Sequence, residues 1–473
     1  MQILGHYVNI PQNLKLIWNK LMTRPSWGSR IGFIFAVAGS AVGLANIWRF
    51  PYIVGQYGGS AFIIVYLICL LLIGFPVFIS EMLIGRTAQT SPSGAFRLLG
   101  GNPLWSWAGK LTILTGFIVS SFYSAVAGWV LGYLIEAIQG NVSNFSSSEE
   151  VVSYHQSLMS NPIWGLGFHF CFIAICIGIL YLGVRNGIER GNKIMMPLLF
   201  FVLIFLVING LMMPKAEIGL KFLLKPDWSL ITPAAILTAL GQSFFTLSVG
   251  QGTLVTYGSY LKKDENLFVS SYPVVIMDTL VSLLSAIAVF TIVFSVDLAP
   301  DQGPGLIFHT LPWVFSHVPG GHLLAIMFFL LVVLAAITSE ISAMEPTIAY
   351  FMDEWGWKRK KAVIVCGFGV FLLGMPSALS TSVLSDMRWH GMTFIDFFDF
   401  LASSILIPVG GFLAVILIGW VWGVKNSIKN LKLGSSNFFT NKPWLLRYFW
   451  FCFKYSAPIL IAFVFLNALG LFS

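Results

Sequence analysis

The stretch from Trp27 to Tyr52, WGSRIGFIFAVAGSAVGLANIWRFPY, decides the fold. It begins as an apolar run fit for a bilayer, yet it places Gly39, Ser40 and Gly43 at mid-depth and Asn46, Arg49 and Pro51 beyond them. Buried in hydrocarbon on a plain spanning helix, these groups are costly. The sixth apolar run repeats the feature: Gly241-QSFFTLSV-Gly250-Gln251-Gly252 again puts polar residues and glycines in its middle. Isolated glycines in a span usually serve close helix packing. Placement argues otherwise here, because each interruption opens one half of the chain, 27–213 and 233–423, with five spans in each. Halves with an odd number of spans insert in opposite orientations. Paired interruptions at corresponding positions mark an inverted repeat with a binding site at the bilayer midplane. Unwound backbone there exposes carbonyls that hold cations and helix N-termini that hold an anion.

Composition supports the membrane setting. Of 473 residues, 57% are hydrophobic and only 10% charged, and the mean hydropathy is +0.84. A chain this apolar lies far from soluble domains. Runs near the ~20 residues needed to cross a bilayer recur throughout. They predict about eleven spans, near 27–52, 59–84, 107–138, 162–183, 190–213, 233–260, 268–296, 322–352, 361–376, 394–423 and 448–471. The runs lack the short alternating pattern of barrel strands, so the spans are helices. The expected fold is thus an all-α integral membrane protein: segment 1–26, a first five-helix repeat over 27–213, an external connection at 214–232, an inverted repeat over 233–423, and a loop plus eleventh helix over 424–473.

A net charge of +8 could suggest nucleic acid, but the basic residues are scattered at span ends rather than gathered on one face. Lys15, Lys20, Arg24 and Arg30 precede the first span; Arg86, Arg97 and Lys110, then Arg185, Arg190 and Lys193, then Lys262 and Lys263, then Lys358 to Lys361, and finally Lys425 to Arg447 fall on the same side. That side is expected to be cytoplasmic. The chain is then a multi-pass protein of the cell's inner (plasma) membrane, with the N-terminus cytoplasmic and the C-terminus external. Its partners are the bilayer and a small molecule, with no nucleic acid and with the oligomeric state left open. Lys215, Lys221 and Lys225 lie outside in this topology and disagree with it. No cleavable signal pattern precedes the first span. The five cysteines, Cys69, Cys171, Cys176, Cys366 and Cys452, sit in apolar runs without metal-ligand spacing and read as core packing.

Five motifs, GSAVGLANIWRFPY at 39–52, YGGSAF at 57–62, SFFTLSVGQG at 243–252, GPGLIF at 303–308 and AAITSEIS at 335–342, occur in this order. Through them the chain resembles the neurotransmitter:sodium symporter family over nearly its whole length, and its bacterial amino-acid carriers in particular. The resemblance implies two sodium sites. The first takes the Ala41 carbonyl, Asn46, Thr246 and Asp278, completed by the substrate carboxylate; the second takes carbonyls of Gly39, Val42 and Ala335 with the hydroxyls of Thr338 and Ser339. For Thr338 and Ser339 alone, a hydrogen bond back to a helical carbonyl is the simpler reading. The substrate carboxylate would meet amides near Gly43 and Leu44 and the Tyr123 hydroxyl. Its ammonium would face carbonyls around Phe245 and Thr246, helped by Ser248, because each charge of a buried zwitterion needs a partner. Around the side chain the resemblance places Val119, Phe245, Gln251, Ser339 and Ala343, implying an aliphatic or aromatic amino acid in a roomy pocket with one added polar group.

The resemblance also implies gates. Arg49 and Asp399 match an external pair over a thinner lid of Tyr123 and Phe245, while Arg24, Trp27, Ser259, Tyr260 and Asp353 match an internal network. Gly187 and Pro197 match a pattern that lets the fifth span unwind. Asp278 replaces the asparagine of eukaryotic relatives, so a fixed carboxylate could stand for their chloride; chloride-independent transport is expected, although Tyr66, Gln242 and Ser282 match chloride-site positions. The expected function is sodium-coupled symport of a hydrophobic L-amino acid. A sodium-dependent sensor of the same fold and a carrier of another small zwitterion are the alternatives. A channel lacks a ring-forming filter motif here, and an enzyme lacks a His/Glu metal motif, a nucleophile elbow and a P-loop.

Overall fold

The computed structural model describes residues 24–296, 303–434 and 436–468. Lys15, Lys20 and most of segment 1–26, like the end of the eleventh predicted span, lie outside the described residues. Among those described, nine helices are long and apolar enough to cross a membrane. A tenth crossing is the pair Arg30–Ala41 and Ala45–Gln56, bent by 56° where they meet. The sixth predicted span consists of Pro233–Thr246 and Thr253–Ser259, separated by the non-helical stretch 247–252. Together these account for the eleven predicted crossings. Ends shift by a few residues; the third runs over Trp105–Gln139 and the eleventh over Pro443–Leu466.

Both breaks follow from local chemistry. Ser29 caps the first helix by accepting from the Gly32 amide, and the helix ends at Ala41 as Val42 turns extended, with φ −74° and ψ 105°. The final carbonyls of a helix have no intrahelical partner, so the turns around Gly39 to Ala41 present free oxygens. Thr232 caps Pro233–Thr246 by accepting from the Ala235 amide. That helix stops before Ser248, Gly250 and Gly252, all with positive φ (53°, 81° and 77°). At Gly250 no larger residue fits, since a Cβ would lie 2.1 Å from the Ile407 carbonyl oxygen. Each break therefore carries backbone no regular helix accepts.

The continuous helices hold the two breaks at the centre. The eighth span, Gly321–Trp355, packs along the third, and Leu267–Phe294 and the fifth span, Val184–Leu211, flank Arg30–Ala41. The outer surface carries Ile64, Leu71, Phe170, Phe201, Phe368 and Phe463, all exposed, whereas Asn46, Glu81, Asp278, Glu340 and Glu345 are wholly or almost wholly buried. Apolar outside and polar within is the pattern of a protein dissolved in lipid. Cys171 departs from the expected core packing: it is exposed on this outer face, while the other four cysteines are buried. Of the three discordant lysines, Lys221 pairs with Glu217 at 3.3 Å on the short helix Ala216–Leu224, which keeps both heads at the surface.

Candidate functional site

Where the two breaks face each other, one cavity is lined by Ala41, Gly43, Leu44, Val119, Tyr123, Phe245, Ser248, Gln251, Ser339 and Ala343. These are the expected substrate residues with one exception. Thr246 turns away from the cavity into a polar cluster, because it is the last residue of its helix and its hydroxyl donates to Asp278 at 2.9 and 3.0 Å from the two carboxyl oxygens. Ala45, Val249, Glu340 and Ile407 complete the wall and were missed. Glu340 carried a usable signal, as an acid inside a span; Ile407, one apolar residue in an apolar run, carried none.

The breaks are tied to each other through Ser40. Its carbonyl accepts from Ser248 at 2.8 Å and from Ser339 at 2.9 Å, and its hydroxyl accepts from Ser342 at 2.7 Å. Glu81, also missed, braces the sixth-span break by accepting the Gly250 amide at 2.6 Å. At one end of the cavity, Tyr123 Oη accepts from the Leu44 amide at 3.3 Å, and the Gly43 amide donates to Asn46 Oδ1 at 3.0 Å. These donors lie at the N-terminus of Ala45–Gln56, where the helix dipole favours an anion.

Beside the cavity lies an oxygen cluster. Asn46 Nδ2 has two hydrogens but lies within 3.4 Å of four oxygens: Thr246 Oγ1 at 2.9 Å, Asp278 Oδ1 at 2.7 Å, Ser282 Oγ at 2.8 Å and the Asp278 carbonyl at 3.4 Å. Carboxylate, hydroxyl and carbonyl oxygens crowded on one point suit a hard cation, and the amide can turn its own oxygen inward. Three of the expected first-site groups, Asn46, Thr246 and Asp278, thus meet, with Ala41 on the adjoining cavity wall. Tyr66 adjoins Asp278 with Thr246 and Ser282 beside its hydroxyl, and Gln242 Oε1 is buried without a hydrogen-bond partner among the described residues.

The expected second site is less assembled. Ser339 faces the break, but Thr338 donates to Leu334 and Ala335 of its own helix at 3.1 and 3.0 Å, the local bond that competes with any ligand role. Gly39 packs directly on Thr338 and on Asn192, whose Oδ1 is buried and unpartnered. Asn192 was not foreseen, although an asparagine inside the fifth span was a visible signal. Around Gly187 and Pro197 the fifth span is wound, π-helical over Val184–Glu189 and α-helical over Arg190–Leu211.

One end of the bundle is shut. Arg24 pairs with Asp353 and donates to Ser259 at 2.6 Å. The Trp27 indole donates to the Tyr257 carbonyl at 3.1 Å and packs edge-on against Tyr260. Tyr260 donates to Glu345 at 2.7 Å, and Glu345 is gripped by Arg359 at 2.7 and 2.8 Å. At the other end Arg49 and Asp399 do not pair. Arg49 stacks over Phe245, 5.1 Å from the ring centre, and Asp399 accepts from Ser403 at 2.7 Å. Both line a vestibule of about 560 Å³ that reaches down to Tyr123 and Phe245. The expected pair is apart, with the vestibule between the first and tenth spans that carry its two members.

Membrane-crossing helices, two of them broken around a shared cavity, with an oxygen cluster beside it, paired side chains closing one end and a vestibule opening the other, make the frame of a secondary transporter. The chain belongs to the sodium:neurotransmitter symporter family, which matches residues 24–160 and 148–473. It is 38% identical to a sodium-dependent transporter of Bacillus subtilis, YhdH, described as uncharacterized, over 94% of this chain and 98% of the relative. It is 25% identical to the sodium-dependent serotonin transporter of Drosophila melanogaster, over 94% of this chain and 76% of the relative. Among solved structures it is similar to MhsT in complex with L-phenylalanine, with a TM-score of 0.85 and 40% identity, covering 94% of this chain and all of the other. It is a sodium-dependent transporter by family, and a multi-pass membrane protein.

Proposed function

We propose that the protein carries a hydrophobic L-amino acid into the cell together with sodium, by alternating access through the two gates. The observation that carries this reading is the adjacency of the central cavity, with Leu44 and Tyr123 at its anion-favouring end, to the Asn46–Thr246–Asp278 cluster. A substrate carboxylate at that end neighbours the cation, so each stabilises the other and binding is coupled. The sodium dependence of the relatives and the L-phenylalanine bound by MhsT support the same reading. We assign one sodium ion to the Asn46 cluster and a second to the groups around Gly39, Val42, Ala335, Thr338 and Ser339. Asp278 supplies the negative charge that makes chloride unnecessary. The shut end, rich in basic residues, faces the cytoplasm, and unwinding between Gly187 and Pro197 opens the sodium exit.

The test is uptake of labelled L-phenylalanine and L-leucine by proteoliposomes. Accumulation above equilibrium under an inward sodium gradient, abolished when that gradient is collapsed, is expected, and it should be electrogenic. Equilibration without accumulation would point to a channel, and sodium-dependent binding without flux to a sensor.

A further inference from the structure

Glu340 is the charged side chain on the wall of the central cavity. Neither oxygen cluster uses it and neither gate does. It is completely buried, and both of its carboxyl oxygens lack a hydrogen-bond partner among the described protein groups. The polar side chain beside it is the Ser120 hydroxyl, buried and with no other partner, which can offer Glu340 one hydrogen bond at most and leaves the second carboxyl oxygen unmet. The arginine that follows on the next helix, Arg359, is committed to Glu345 through two hydrogen bonds. The remaining surroundings of Glu340, Tyr123 of the third span, Cys176 of the fourth and Cys366 of the ninth, bring no cation. An unpartnered buried carboxyl is costly in any state of the protein, and a group that enters the cavity can relieve that cost.

Position says which part of a substrate that group belongs to. Glu340 and Ala343 lie three residues apart, on neighbouring positions of one helix, and Val119 adjoins Ser120 on the third span. Ala343 meets the third span at Gly116, about two turns before Tyr123, whose hydroxyl accepts from the Leu44 amide, and Ser120 lies about one turn before it. The carboxyl therefore belongs to the side-chain end of the site.

We propose that Glu340 sets substrate specificity by hydrogen bonding to the tip of the side chain, so that the cavity favours amino acids with an apolar body ending in an N–H or O–H donor. This rests on the amino-acid reading above and narrows it. A site built around a buried polar group discriminates strongly against the isostere that leaves it unpaired.

The test is calorimetric titration of the purified full chain in saturating sodium chloride with two pairs of ligands that differ at the tip: L-tyrosine against L-phenylalanine for a neutral donor, and L-lysine against L-norleucine for a cationic one. The expected result is a preference of roughly tenfold or more for the donor in at least one pair. In Glu340→Leu that ratio should fall to about one, and Glu340→Gln should keep a neutral-donor preference while losing a cationic one. Wild type that discriminates neither pair overturns the proposal, as does discrimination that survives in Glu340→Leu. The wild-type ratios decide even if a variant does not fold. If no amino acid binds in sodium, the amino-acid reading falls with it; if apolar ones bind and the donors gain nothing, only the specificity claim falls.

Discussion

Replacing Asp278 by asparagine tests the oxygen cluster most directly. The change keeps shape and one acceptor oxygen but turns the other into a donor and removes the negative charge facing Asn46 and Thr246, which lie 2.7 and 2.9 Å from Oδ1. A sodium ion among these oxygens would lie within about 4 Å of the carboxylate, where the attraction at an effective dielectric constant near 20 is roughly 4 kcal/mol. Part of that is returned, since the variant no longer buries a charge when the site is empty. A net loss of about 2–3 kcal/mol remains, which weakens sodium binding by roughly 30- to 150-fold. Sodium titrations of thermal stability, in chloride and in gluconate salts, read this shift. Tyr66, Gln242 and Ser282 lie close to the site, so a chloride ion is expected to restore part of the lost affinity in the variant and to do little in wild type. Unchanged sodium affinity together with indifference to chloride would refute the assignment of Asp278 as ligand and as fixed counter-charge.

Three further outcomes follow from single contacts. Gly250→Ala forces a Cβ to 2.1 Å from the Ile407 carbonyl on a backbone with φ 81°; a loss of about 3 kcal/mol or more is expected, seen as a collapse of the folded yield in size-exclusion profiles, whereas Ala at exposed Gly178, which has open space, should be silent. Asp353→Asn removes the charge that accepts from Arg24 and from the Ser91 amide at 2.6 Å; with the pair partly exposed, the shut gate should loosen by about 1 kcal/mol, and hydrogen exchange over Trp27–Phe33 should rise roughly fivefold, an unaltered rate counting against the gate. His155 in the short helix Ser148–Met159 is held down to about 4, chiefly by burial and secondarily by His309, from its ordinary 6.5. A loosened helix binds a proton that the packed one refuses, so stability falls as pH drops from about 6.5 towards 4, by up to about 2 kcal/mol at pH 5. Melting temperatures at pH 7.5 and 5 should show this, and His155→Gln should flatten the difference.

The sequence by itself determined the membrane fold, the number of crossings and the two helix breaks, because each is written in local terms. Apolar runs of bilayer length leave a helix as the backbone's only solution, and glycine and polar residues at mid-depth announce where that solution fails. Family motifs then named most of the cavity wall. Tertiary structure decided which of those residues meet. Thr246 and Ser248 are two positions apart, yet one enters the cation cluster and the other the cavity, because the helix ends between them and Ser248 adopts a left-handed turn. Glu81, Asn192 and Glu340 were visible as polar residues within spans, but what they meet lies far off in sequence: the Gly250 amide 169 residues away for Glu81, Gly39 of the first helix packed against Asn192, and the central cavity for Glu340. Gate state was equally illegible: the residues of both gates were there to read, but whether Arg24 closes on Asp353 while Arg49 stands apart from Asp399 depends on how the broken helices tilt against the continuous ones. Packing between elements distant in sequence fixes that tilt, and no local pattern encodes it.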